Sequence, residues 1–278
     1  MAEEGLIPTE LWFTRKPRSL WGDAARTFLR NKAGLVGLLI VAVFIFGAIF
    51  ANLLSPFGPL DQDWDQLRQP PNAIHIMGTD ELGRDIFVRI LMGARTALSV
   101  AILTTTISTV IGVIVGSLGA LLGGWIDSLV VWIMDGLMNF PGIWLAAFVS
   151  VAVRPSISDA VSRLYEQTGW AFFQDTVILD YLIVFGALAL ISWPGIGRLV
   201  RGQVLSIRKR EYIEAQYAIG ASAWWITMRH LIPNVLGSVI VAISTNFGSA
   251  MLAESSLSFL GIGIRPPGAS LGNMIASS

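Results

Sequence analysis

Two stretches of this chain settle what solvent it folds in: Ala33 to Leu54 and Thr96 to Trp125 contain no charged side chain. A helix needs about 20 apolar residues to cross the hydrocarbon layer of a bilayer, and both runs reach that length. Inside such a layer every backbone amide must be satisfied within the chain, which restricts spanning structures to helices and closed barrels. Three further apolar runs, Ser128 to Val153, Tyr181 to Gly197 and Leu231 to Ala253, repeat the pattern with sparse polar interruptions. The expected fold is an all-α polytopic membrane protein with five spans. Composition agrees, since 54% of the 278 residues are hydrophobic, only 14% are charged and mean hydropathy is +0.65.

Several classes of chemistry are excluded or made remote by the same counts. The formal net charge is +0, so no basic surface calls for a nucleic acid. There is no cysteine, which removes disulfides, thiolate metal sites and a cysteine nucleophile. The two histidines, His75 and His230, stand far apart in sequence, and no metal site is expected from them. No lysine follows a glycine, so the chain lacks the GxxxxGK[ST] phosphate loop, and neither an HExxH nor a GxSxG nucleophile site is expected.

Residues 1 to 32 lack the basic, apolar, small-residue layout of a cleaved leader. They read as a cytoplasmic tail with Arg15, Lys16, Arg18, Arg26, Arg30 and Lys32 near the membrane edge, followed by the first span at 33 to 54. Residues 55 to 95 form an acidic, Gly- and Pro-broken loop on the other side, with residues 86 to 93 expected as a short interfacial helix. The core, 96 to 278, holds spans two to five and a polar loop at 198 to 230 on the tail's side. Lys and Arg number six in the tail and six in that loop, against seven over all the outer segments, the bias expected of cytoplasmic loops.

Within the spans, Gly112, Gly116 and Gly119 give the second one a face that another helix approaches closely, with packing inside the chain favoured over dimerisation. Asp135, Asn139 and Pro141 interrupt the third span, and an acid at bilayer depth costs about 2.5–3.5 kcal/mol unless it faces protein or water. Asp135, Asn139, Asn246 and Glu254 are candidates either for lining a path or for tying helices together, and the residues leave both open. Ser158-Asp159 reads as a helix start in a second outer segment, 154 to 180. The fourth span is expected to be short, ending in Pro194, Gly195 and Gly197.

The polar loop contains the most informative segment, Glu211 to Asn234. Glu211 to Ile219 suits a short helix, Gly220 a helix end, and Ser222 the N-cap of a second helix through Trp224, Trp225 and Met228. Ala215, Ala218 and Ile219 form a small apolar face, and Pro233 opens the next apolar run. The segment resembles the EAA loop of ABC-importer permeases: Glu-Ala-Ala, three residues, Gly, nine residues, Ile, one residue, Leu-Pro. Glu214, Ala215, Gly220 and Pro233 are in register, with Ala221 beside them, while Gln216, His230 and Ile232 replace the second Ala, the Ile and the Leu. A second stretch, His75-Ile-Met-Gly-Thr-Asp-Glu-Leu-Gly-Arg-Asp85, resembles the HxxGTDxxGRD segment of the C-type subunits of dipeptide, oligopeptide and nickel importers. It matches at His75, Gly78, Thr79, Asp80, Gly83, Arg84 and Asp85, read as local structure.

That resemblance, over residues 75 to 275, implies the type I importer permease fold with five of six spans present, the sixth lost by truncation and the C-terminus left outside. It implies a non-catalytic subunit in a bacterial or archaeal plasma membrane. Expected partners are a second homologous permease, two ABC ATPase subunits that carry the ATP and Mg, and an extracytoplasmic solute-binding protein. The chain itself binds no cofactor in this reading. Peptides are the expected cargo, with nickel, glutathione and oligosaccharides as alternatives. An ion-coupled transporter relaying protons through Asp135, Asp180 or Glu254 is the rival from another class, and a membrane-embedded enzyme or an assembly scaffold is a further one.

Overall fold

A computed structural model describes residues 20–174 and 176–277; the expected roles of Arg15, Lys16 and Arg18 lie outside the described residues. The chain divides into two units, one reaching Phe46 and one running from Gly47. The first holds α1 (Leu20–Arg30) and most of α2 (Lys32–Ile49). The second holds α3 (Ala51–Leu54), α4 (Ile86–Leu122), α5 (Gly124–Met138), α6 (Gly142–Thr168), α7 (Thr176–Arg208), α8 (Glu211–Ala218), α9 (Ala223–Ile226), α10 (Ile232–Phe259) and α11 (Leu271–Ala276). Among the described residues, five helical stretches are long and apolar enough to cross a membrane: Lys32–Ile49, Ile86–Leu122, Gly142–Thr168, Val177–Arg208 and Ala223–Phe259.

The two longest helices, α4 and α7, form the axis of the second unit, and glycine lets them meet. A Cβ on Gly112 would stand 2.9 Å from the Gly197 nitrogen and the Ile196 side chain, and one on Gly116 would run into the Gly197 carbonyl. The small-residue face of α4 therefore serves packing inside the chain, backbone against backbone. Toward one end of this axis Val200, Val204 and Ile207 of α7 pack with Ala120 of α4 and Val235 and Val239 of α10. Toward the other, Val100 of α4, Ala146 of α6, Val184 and Leu188 of α7 and Leu257 of α10 form a second core.

Helix boundaries differ from the sequence expectation where proline and polar residues were read as breaks. The fourth span does not end at Gly197: α7, 33 residues long, continues to Arg208 with Pro194 inside it. Ser158-Asp159 starts no helix, because α6 runs through Pro155 to Thr168 and stops where Gly169 takes φ 66°. An interior proline costs a helix about 3 kcal/mol, but Trp193 and Ile196 beside Pro194 are buried in the bundle, and packing outweighs the lost hydrogen bond. Residues 86 to 93 are not a separate interfacial helix but the first turns of α4. The third span is divided between α5 and α6 at residues 139 to 141, and α10 extends to Phe259.

Replacing Gly116 by Val should cost about 1–3 kcal/mol or more through overpacking. A lower midpoint for loss of the folded peak in thermal size-exclusion of the detergent-solubilised chain measures it. Gly136, with nothing within 4 Å of its Cβ position, is the control that should be silent.

Candidate functional site

The segment between α7 and α10 folds into a two-helix elbow, and its bend is written in local chemistry. Helix α8 ends in a Schellman arrangement: the Ala221 N–H donates to the Gln216 carbonyl and the Gly220 N–H to the Tyr217 carbonyl, both at 3.0 Å. This closure needs a left-handed residue at position 220, and Gly220 has φ 86°. Ser222 then caps α9, its Oγ accepting the Trp225 N–H at 3.2 Å. A π-helical turn, Thr227–Leu231, joins α9 to α10, and Pro233 sits in the first turn of α10.

The elbow has one anchored side and one open side. Ile213 of α8 and Ile226 of α9, both 0% exposed, sink into the core formed by α4, α7 and α10. Glu214 and Ala215 are exposed, as are Ile219 at 77% and Trp224 at 59%. His230, at the position where the resembled pattern carries Ile, lies edge-on to Trp225 at 5.2 Å and to Tyr212 at 6.3 Å between ring centroids. It thereby ties α8 to the π turn through ring contacts in place of an aliphatic one. The Arg208 guanidinium donates to the last carbonyls of α4, Ala120 at 3.1 Å and Leu121 at 3.4 Å, so α4 and α7 terminate together beside the elbow.

Two acids of α5 meet arginines of α7 just before that point. Arg201 makes a bidentate pair with Asp127, at 2.6 and 2.7 Å, and Arg198 pairs with Asp135, both side chains half-exposed. Sequence reasoning singled out Asp135 but not Arg198, because 63 residues separate them. Asn139 is exposed and closes α5 through its backbone N–H to the Asp135 carbonyl, and Asn246 is half-buried on α10. Glu254 is buried. Its carboxylate is 0% exposed and accepts the hydroxyls of Ser258 at 2.8 Å, Ser270 at 2.9 Å and Ser255 at 3.3 Å, joining α10 to the start of α11. Contrary to the expectation that no GxSxG spacing occurs, residues 268 to 272 spell Gly-Ala-Ser-Leu-Gly, the spacing of a nucleophile elbow. Its Ser270 is fully buried, donates to Glu254 and caps α11.

At the opposite end of α4 the His75–Asp85 motif closes into a hydrogen-bonded knot. Gly78 and Gly83 have φ 77° and 70°, and a Cβ on either would collide with backbone, at Gln69 and at Asp63. Thr79 accepts the Gln69 N–H at 2.9 Å and donates to the Gln66 carbonyl. Asp80 accepts the N–H groups of Leu82 and Arg84 and the Arg84 Nε at 2.8 Å. Burial alone would raise the Asp80 carboxyl, but these bonds and the neighbouring Arg84 charge outweigh it and hold the group below its usual range. Buried His75 holds one oxygen of Asp85 at 2.9 Å while the other caps α4 through the Val88 N–H at 2.9 Å. The motif thus starts the longest helix.

Comparison with known proteins agrees with this architecture. Residues 108–278 match the family described as "Binding-protein-dependent transport system inner membrane component", and residues 19–71 match "N-terminal TM domain of oligopeptide transport permease C". The oligopeptide transport system permease protein OppC of Escherichia coli strain K12 is 36% identical over 261 residues, 93% of this chain and 78% of that protein. The dipeptide transport system permease protein DppC of Alkalihalophilus pseudofirmus is 35% identical over 94% of this chain and 78% of its own length. The glutathione transport system permease protein GsiD of Pectobacterium atrosepticum is 34% identical, again over 93% and 78%. The chain belongs to the family of inner-membrane components of binding-protein-dependent transport systems: it is a multi-pass membrane permease.

Asp85→Ala removes the cap of α4 and should cost about 1 kcal/mol, read as a drop in thermal unfolding midpoint. The lowered Asp80 carboxyl sets a pH dependence. Its stabilisation is complete above the ordinary carboxylate range, near pH 4, and declines as pH falls below it through the folded-state value. Proton uptake should therefore accompany acid unfolding, and Asp80→Asn should flatten that part of the stability curve.

Proposed function

We propose that this chain is one of two permease halves of an ATP-driven peptide importer, and that the elbow at Glu211–Leu231 receives the motion of a separate ATPase subunit. The observation that carries the proposal is the two-sided construction of the elbow. Ile213 and Ile226 bind it to the ends of α4, α7 and α10, while Glu214, Ala215, Ile219 and Trp224 remain open for a partner. ATP and Mg would be held by that partner, and di- or oligopeptides are the cargo by similarity to the oligopeptide and dipeptide permeases. A second permease completes the path, and an extracytoplasmic binding protein delivers the cargo.

Orientation follows from charge: the basic tail and the arginines at the elbow end belong on the cytoplasmic side of a bacterial or archaeal plasma membrane. When nucleotide closes the ATPase pair, the elbow moves with it and the helices tilt between inward- and outward-open arrangements. Nucleotide favours one arrangement only by the difference in its affinity for the two, so the elbow has to carry the load without unfolding. A proton-relay mechanism has little to work with here. Asp135 is paired with Arg198, Asp180 with Arg154 and the Arg265 N–H, and Glu254 with three serines.

Gly220→Pro removes the N–H that closes the Schellman turn and demands φ near −65° where the chain has 86°. In vesicles carrying the assembled transporter this variant, and Glu214→Lys at the exposed face, should insert normally, retain ATP hydrolysis and lose more than about tenfold in ATP-driven uptake, a change of ~1.4 kcal/mol in coupling. Undiminished uptake in both, or uptake that survives ATP removal and collapses with an uncoupler, would refute the proposal.

A further inference from the structure

From the first unit we infer a lipid-binding element: α1 lies flat on a surface of anionic phospholipid headgroups, apolar side down, and its arginines engage the headgroup phosphates. The argument begins with sequence register. In the described turns of α1, helical spacing puts Ala25, Phe28 and Leu29 on one side and Arg26, Thr27 and Arg30 on the other. Leu29 is 64% and Phe28 42% exposed, and Arg26, Arg30 and Lys32 are all exposed. The pattern is that of an interfacial helix with a basic polar face.

Helix α1 is not an extension of the span that follows. Asn31 interrupts the helix and caps α2, its Oδ1 accepting the Gly34 N–H at 3.1 Å. The Phe28 ring folds back onto Gly34, 3.2 Å from where a Cβ would stand. A single residue therefore separates an amphipathic helix from an 18-residue span of high hydropathy, and the headgroup layer is the phase within its reach. At 11 residues α1 is shorter than the ~12–15 residues that an isolated helix needs in water, so its apolar side requires a surface. Arg26, Arg30 and Lys32 against Asp23 leave a surplus of positive charge at that boundary, which selects an anionic surface over a neutral one.

Because the chain has no cysteine, single nitroxide labels at Leu29→Cys and Thr27→Cys, with Ile40→Cys in the span as a control, report the geometry in the full chain reconstituted into vesicles. The probe membranes are phosphatidylcholine alone and phosphatidylcholine with phosphatidylglycerol. In the anionic vesicles the Leu29 label should collide with oxygen and be shielded from a water-soluble nickel chelate, and the Thr27 label should do the reverse. Arg26→Gln with Arg30→Gln should shift the surface-bound to water-exposed ratio by about fivefold per arginine in the anionic vesicles, little in the neutral ones, and leave the Ile40 label unchanged. Equal chelate access at Leu29 and Thr27, shielding of Leu29 that appears only when partner subunits are added, or indifference to phosphatidylglycerol would each overturn the inference. Uptake reports separately on the elbow, so failure here leaves the permease reading standing.

Discussion

The contact that everything else in the second unit is arranged around is the meeting of α4 and α7 at Gly112, Gly116 and Gly197. In a bilayer, apolar side chains gain little by leaving lipid for one another, so helix association rests on close packing and on interhelical hydrogen bonds. Backbone-to-backbone approach supplies the first without any side chain that could rotate out of register. Once this crossing is set, the two long helices have fixed relative translation. The knot at the start of α4 and the elbow after α7 are then held at opposite ends of the same axis.

Polar side chains provide the second kind of tie, and their placement explains how charge survives in an apolar bundle. Asp180 bonds the Arg154 guanidinium at 2.6 Å and the Arg265 N–H at 2.9 Å, linking α6, α7 and the chain before α11. Tyr181 donates to Thr96, which donates to the Ala269 carbonyl, so α4, α7 and the same stretch are joined again. Glu254 gathers three hydroxyls. Each buried acid is satisfied by several donors, the condition under which a charge removed from water is tolerated. Near the elbow the acid–arginine pairs are more open.

How much of this could be read from sequence depended on the range of the interaction. Gly220 and Ser222 act on groups within five residues of themselves, and the elbow was legible because capping is local. The glycines of α4 announced a close approach, but only folding named Gly197 as the partner. Arg198 was invisible as the counterion of Asp135 because nothing in a linear pattern pairs residues so distant. Pro194 misled for the opposite reason: its local cost is real, and the packing of Trp193 and Ile196 overrides it. Glu254 could be read either as lining a path or as tying helices, because its three serines, two of them close by in sequence, reveal themselves as donors only when the helix and the following turn are folded.

The length of α4 has a mechanical consequence. Its 37 residues make a rod of about 55 Å, held toward its elbow end by the glycine contacts at Gly112 and Gly116. A swing of about 5° around such a fulcrum displaces the far tip by roughly 4 Å and the near tip by about 1 Å in the opposite direction. In the reading proposed above, the hydrogen-bonded knot would ride on the far tip as an undeformed cap, and a shove at the elbow would reach the other face as displacement, with no chain of rearranging side chains in between.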